Sequence, residues 1–314
     1  MVEQTIPQIV EKEFKAKTLE IAQIKEGYSH SMYFVKINKH PFEIILRFTN
    51  NKREENSLEK EEFIIRTLRK NKIPAPKIYV LTKDYMILEK IQGERLDKIW
   101  DNLSAEEKYN ITRKIGRMLK DIHAIKFDKF GKIKKNGEIE GDNPFTFRKE
   151  GTEIPHNKWL RILLRDSLKD YARLLSYENI DLKLMNKVNN FILNNLETIK
   201  YNGEASLIHG DFQKGHLFIR RIENEYKIVG IIDFEFADSY CPEYDFIKLH
   251  REGFFDNRKL LKALQEGYGK INKKAVEIYR LLRDIGFVQV LFDSGNKTKA
   301  NEVLKSIKIR LKKY

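Results

Sequence analysis

The residue pattern of this chain changes once, at Gln92-Gly93-Glu94, and that change constrains its fold most. Before it, four short apolar segments read as strands: Met32 to Ile37, Phe42 to Phe48, Ile78 to Leu81 and Tyr85 to Ile91. Asn38 to Pro41 supplies a hairpin turn between the first two. An amphipathic helix within 1–26, on Ile6, Ile9, Val10 and Phe14, leads through Leu19 to Ile24 into a turn. A second helix spans Ser57 to Lys70, with Ser57 as N-cap and Pro74 and Pro76 as the stop. After Glu94 the chain is mostly helical. Ser104 to Ala124 opens with a capping box, Ser104 with Glu107, and 125–157 reads as loop. Helices follow at 158–176 and 181–198, then strands around 207–232, then helices to the end. Strands first and a helical body second predict an α+β chain in two lobes. A doubly wound parallel sheet would alternate strand and helix throughout.

One stretch carries chemistry. Leu207 to Ile219 contains His209-Gly210-Asp211-Phe212-Gln213-Lys214-Gly215-His216, and Asp233-Phe234-Glu235 follows the strand-like run Lys227 to Ile232. An apolar run thus delivers one carboxylate into a turn, a polar residue comes five positions later, and a second carboxylate ends a strand. Phosphoryl transfer from a nucleotide needs this set: one carboxylate orients and deprotonates a hydroxyl, and the other holds Mg²⁺ against the phosphates with help from the polar residue. Asp211 is therefore read as the base. Asp233 is read as the metal ligand, since Mg²⁺ prefers carboxylate oxygen. His209 is read as packing and bonding the backbone.

Leu207 to Ile219, Gly230 to Leu249 and, more weakly, Ser306 to Ile309 resemble the aminoglycoside phosphotransferase family of small-molecule kinases, most closely its 2''-phosphotransferase branch. The resemblance implies a bilobal protein-kinase-like fold, with a nucleotide-binding lobe at 1–91, a hinge near 88–93 and a catalytic lobe at 92–314. A helical insertion at about 126–200 would form one wall of the substrate cleft. It implies ATP or GTP as donor, Mg²⁺ as cofactor and an aminoglycoside hydroxyl as acceptor, hence antibiotic resistance. By the same resemblance His216 joins the metal site, directly or through water, where most kinases place Asn. Arg47 would pair with phosphate, and Glu61 would tether it, with adjacent Glu62 as the alternative. Ser29 and Ser31 belong to the phosphate loop Gly27 to Ser31, which has a single glycine. Backbone groups from Glu89 to Ile91 would meet the purine, and Asp245 would brace the catalytic loop. Gly210 stands where protein kinases commonly have Arg, which argues against control by activation-loop phosphorylation.

At 314 residues the chain can bury a large core, and its net charge is +14. The bases are interleaved with acids and accompany no RNA-recognition or finger signature, so they read as solvated faces and nucleic acid is not an expected partner. Residues 233–256 invert the balance, with seven acids against Lys248 and Arg251. Such an island suits Mg²⁺ and a polycationic substrate, with Glu235, Asp238, Glu252 and Asp256 as ligands for its ammonium groups. A single cysteine, Cys241, excludes an internal disulfide. No window is long and apolar enough to span a membrane and no secretory leader is visible, so a cytoplasmic monomer is expected. Two alternatives stand beside this reading. One is a kinase of another small hydroxyl compound (choline, homoserine, a sugar or a macrolide), for which Trp159, Tyr171 and Tyr177 could cage a quaternary ammonium. The other is an inactive nucleotide- or RNA-binding relative.

Overall fold

The computed structural model describes residues 2–24, 30–49, 58–140, 158–177 and 180–313. The chain opens with α1 (Val2–Phe14), β1 (Thr18–Ile24), β2 (His30–Ile37), β3 (Glu43–Thr49), α2 (Leu58–Lys70), β4 (Ile78–Leu81) and β5 (Tyr85–Glu89). The five strands form one antiparallel sheet in the order β1-β2-β3-β5-β4. Period-two alternation divides its faces. Ile44 and Leu46 pack with Ile6 and Val10 of α1, while Ile45 belongs to the opposite face, where Ile64 and Ile65 of α2 pack. The first helix ends at Phe14, where Lys15 takes φ +50°, and Leu19 to Ile24 lies in an edge strand. Ser57, the expected N-cap, lies outside the described residues.

Next come β6 (Glu94–Arg95), α3 (Leu96–Ile99) and α4 (Ala105–His123). The capping box of α4 is present: Ser104 Oγ accepts from the Glu107 amide and Glu107 Oε2 from the Ser104 amide. Where loop was expected, three two-residue strands appear, β7 (Lys126–Phe127), β8 (Lys132–Ile133) and β9 (Ile139–Glu140). The rest of that loop, 141–157, lies outside the described residues. Then follow α5 (Lys158–Leu175), α6 (Leu182–Leu193) and α7 (Leu196–Ile199). The helix expected over 181–198 divides at Asn195, whose backbone (φ −122°, ψ 13°) leaves helical geometry.

The remaining elements are β10 (Ala205–Ile208), β11 (Leu217–Ile222), β12 (Glu225–Ile231), β13 (Asp238–Tyr240), α8 (Phe246–Arg251), α9 (Arg258–Tyr268), α10 (Lys273–Asp293) and α11 (Lys297–Arg310). Helices α4 and α9 approach backbone to backbone: a Cβ on Gly116 would lie 2.4 Å from the Leu264 carbonyl oxygen. A second core centres on Trp159, whose indole N–H donates to the Tyr279 hydroxyl at 2.8 Å. Trp159 is fully buried, Tyr171 donates to the Met185 carbonyl and Tyr177 to Asp293. These rings are girders of the helical body, so they do not form the ammonium cage considered above. Among the described residues no helix is long and apolar enough to cross a membrane.

Candidate active site

Pairing of β10 with β13 sets Ile208 opposite Asp238, so the loop after β10 and the loop before β13 leave the sheet side by side. Gly210 has φ +76°, and a Cβ there would lie 2.0 Å from the Phe236 carbonyl oxygen. That contact bars any side chain, including the Arg of protein kinases. Asp245 holds the loop from beneath, accepting from the amides of His209 (2.8 Å) and Gly210 (2.7 Å) and lying 3.1 Å from His123 Nε2. His209 is buried; Nε2 donates to the Ile232 carbonyl at 3.0 Å, and its ring leans on Phe234. Both residues act by position.

Asp211 follows, largely buried. Lys248 Nζ of α8 lies 2.6 Å from Oδ1, and Gln213 donates to Oδ2 at 2.8 Å. Burial alone would raise this carboxyl, but the charge and hydrogen bond of Lys248 outweigh it and hold Asp211 below the ordinary carboxylate range.

The β11–β12 hairpin turns through Glu223 and Asn224, both at positive φ, and its register sets Leu217 opposite Ile231. The Ile232 amide then donates to the His216 carbonyl at 3.0 Å, which brings His216 and Asp233 together. Asp233 itself sits at φ +72°, a left-handed conformation that costs a non-glycine residue energy and recurs at functional sites. His216 Nδ1 donates to the Asp211 carbonyl at 2.9 Å, so Nε2 presents its lone pair, which accepts from Gln213 Nε2 at 3.2 Å and lies 3.3 Å from Asp233 Oδ2. Burial first, then the charge of His209, lowers the His216 pKa against the opposing pull of Asp233 and Asp211. An imidazole lone pair and a carboxylate oxygen at this separation are suited to a cation. Among the described residues no group of three or more His, Cys, Asp or Glu forms a complete metal cage. Mg²⁺ needs none, since it keeps waters and takes substrate phosphate oxygens beside one or two protein ligands. His216 and Asp233 fit that pattern.

Both lie in a cleft of about 630 Å³ between the sheet and the helical body. Met32, Phe34, Ile45, Leu88, Ile91 and Phe218 give it an apolar slot, and Arg47, Glu61, His216 and Asp233 a polar end. Arg47 pairs with Glu61, while Glu62 turns outward to Arg66 at 2.6 Å, which decides between the two glutamates. Burial raises the Glu61 carboxyl against the pull of Arg47, and Asp233 and Glu235 push it further. Arg47 Nε is buried without a hydrogen-bond partner. Glu89 lines the cleft, with its side chain accepting from the Lys77 amide. Ser31 lies in β2 opposite Phe48, and Ser29 is outside the described residues.

Of the four carboxylates expected to meet a polycation, Glu235 and Glu252 line the cleft. Asp238 does not: it is buried, paired with Lys60 at 3.1 Å and bonded to the Ile133 amide at 3.0 Å. Asp256 is exposed beyond α8 and outside the cleft lining. The acidic island is therefore not one surface, because Asp238 and Asp245 are spent inside the fold. Sequence reasoning missed Lys60, Lys248 and Gln213. For Lys60 a signal existed, a lysine one turn before Ile64 on the apolar face of α2.

The sequence profile of the phosphotransferase enzyme family matches residues 20–282. No curated protein matches the chain. Among solved structures, the GDP and kanamycin complex of APH(2")-IIia aligns with a TM-score of 0.72 at 15% identity, covering 99% of each chain. The streptomycin–ATP complex of APH(2")-IIa aligns at 0.63 and 19%, covering 96% of this chain and 95% of that one. The macrolide 2'-phosphotransferase MphH from Brachybacterium faecium aligns at 0.64 and 13%, covering 97% of each. These likenesses show a bilobal, protein-kinase-like fold.

Proposed function

The chain belongs to the phosphotransferase enzyme family, and we propose that it transfers the γ-phosphoryl group of ATP or GTP to a hydroxyl of a small molecule. The observation that carries this reading is His216 Nε2 facing Asp233 Oδ2 at 3.3 Å, beside Asp211 and at the polar end of an apolar slot. The purine enters that slot against Ile45, Leu88 and Ile91, and backbone groups from Glu89 to Ile91 bond its edge. Arg47, held by Glu61, meets the phosphates, as would the loop carrying Ser29 and Ser31. Mg²⁺ on His216 and Asp233 would neutralise the phosphate oxygens. Asp211 aligns the acceptor hydroxyl. As its oxygen bonds phosphorus and the bond to the β-phosphate oxygen breaks, Asp211 takes the proton, leaving a nucleoside diphosphate and a phosphate ester. A carboxyl held to a low pKa is a weak base, so orientation dominates and the proton moves late. We place the lobe boundary at 88–93 and the reaction in a cytoplasmic monomer.

An aminoglycoside acceptor, and with it antibiotic resistance, draws support from the kanamycin and streptomycin complexes of similar fold and from Glu235 and Glu252 in the cleft. The test is purified protein with Mg²⁺ and ATP or GTP against cationic, neutral and anionic hydroxyl compounds, reading diphosphate release. Absence of both Mg²⁺-nucleotide binding and acceptor-dependent release would reject phosphotransfer.

A further inference from the structure

The backbone of Asp211 is fixed by its own loop: its amide donates to His209 Nδ1 at 3.3 Å and its carbonyl accepts from His216 Nδ1 at 2.9 Å. Its carboxylate is held from two directions. Gln213 donates to Oδ2 at 2.8 Å but belongs to the same loop and moves with it, whereas Lys248, 2.6 Å from Oδ1, comes from α8. Lys248 is the middle member of a row. Asp245, directly before α8, accepts from the amides of His209 and Gly210, and Glu252, directly after it, accepts from the Lys214 amide at 3.3 Å. Residues 245, 248 and 252 are spaced by three and four positions and so share one face of the helix. In order, they grip residues 209–210, 211 and 214 of the loop. The other residues of α8 anchor that grip. Phe246 and Leu249 are buried in the core that contains α4, and Ile247 in the core around Trp159. Asp245 and Glu252 hold backbone, and Lys248 holds the carboxylate that the proposed reaction uses.

We propose that Lys248 is a positioning residue for phosphoryl transfer: from a helix seated in both cores it fixes the plane of the Asp211 carboxylate, so that a free lone pair points at the acceptor hydroxyl. The role rests on the phosphotransfer reading above. Each carboxylate oxygen has two acceptor sites, so Oδ1 keeps Lys248 and Oδ2 keeps Gln213 while the hydroxyl takes a remaining one. Without the hold from α8 the side chain of Asp211 can turn about χ1 and χ2. A misplacement of about 1 Å at a reacting group can cost about 100-fold in rate. The ammonium is also a stronger partner for the ionised carboxylate than a neutral donor would be, which suits a group whose main task is to orient a hydroxyl.

The test uses the full chain with MgATP and the best acceptor of the panel above, or water where none is faster, and reads diphosphate release. Lys248→Met is expected to lower kcat about 30-fold while MgATP affinity by calorimetry stays within about twofold. Lys248→Arg, which can still bond Oδ1, should stay within about fivefold of the parent. In an Asp211→Asn background the same methionine change should cost less than about threefold, because its effect passes through Asp211. Amide exchange at residues 209, 210 and 214 should be unaltered in Lys248→Met, since Asp245 and Glu252 keep their holds. An unchanged kcat in the methionine variant, an equal loss in the Asp211→Asn background, or faster exchange at all three amides overturns the proposal; the last two outcomes make Lys248 a support of the fold. A parent that binds no MgATP, or binds it and transfers to neither water nor any compound of the panel, strikes the phosphotransfer reading itself. That failure shows in the unvaried chain, whereas failure of the Lys248 role shows only in the variants.

Discussion

On one side of Asp211, His216 Nε2 and Asp233 Oδ2 face each other at 3.3 Å; on the other, Lys248 pairs with Asp211 Oδ1 at 2.6 Å. The first region gathers ligand atoms suited to a cation, and in the second the chain supplies the cation itself. The net charge of +14 predicts neither, because electrostatics in a partly dry cleft is decided within a few ångströms. The comparison also separates two meanings of an acidic stretch. Asp233 and Glu235 reach the cleft, whereas Asp238, from the same stretch, neutralises buried Lys60.

The pivot between the two regions gives the largest expected effect. Asp211→Asn should lower kcat about 10³-fold while Mg²⁺-nucleotide affinity stays nearly constant. Near wild-type turnover by a folded variant would remove Asp211 from the proton-accepting role. On the electron-rich side, Asp233→Ala should weaken Mg²⁺-nucleotide binding about 100-fold by calorimetry and spare binding of the free acceptor. Equal losses for both ligands would show that Asp233 only holds the loop. His216→Leu should reduce kcat about 30-fold and raise the Mg²⁺ requirement, while His216→Asn keeps much of the activity, because an amide oxygen can still face a cation. Matching rates and Mg²⁺ dependence in the leucine variant and the parent would make His216 a packing residue.

Lys60 links α2 to the loop behind Asp233 through Asp238 and the Glu235 carbonyl. Lys60→Met should raise the nucleotide KM only about tenfold but cost about 3 kcal/mol in urea unfolding, since Asp238 is left buried without its cation. Adding Asp238→Asn should recover part of that stability, and no recovery would break the pairing argument. Glu252→Gln is the smallest change expected. Burial raises this carboxyl in the folded chain over the pull of Lys214, so its stabilising contribution is present below the ordinary glutamate range and is lost as pH rises through the folded value. The glutamine variant escapes that loss. It should melt about 1–2 °C higher at pH 8 and match the parent near pH 4. A variant less stable at pH 8 would show that the charge of Glu252 is needed where it sits.

Much of the site was legible because it is local in sequence. His209, Gly210, Asp211 and His216 share one loop, and a hairpin with a two-residue turn separates them from Asp233, so strand register alone brings the set together. The capping box at Ser104 and Glu107 was equally readable, since both partners lie within one helical turn. Arg47 and Glu61 could be proposed but not distinguished from Arg47 and Glu62 until the face of α2 was known. The acidic island misled because a count of charges says nothing about which of them the fold buries.

The order of periodicities determined the α+β architecture, and the spacing of Asp211, His216 and Asp233 is what pointed to phosphoryl transfer, because both depend on neighbours a few residues apart. Tertiary structure alone decided which cations meet the buried carboxylates. Lys248 of α8 comes to Asp211 and Lys60 of α2 to Asp238; no sequence period joins either pair, and only the packing of distant elements brings their charges together.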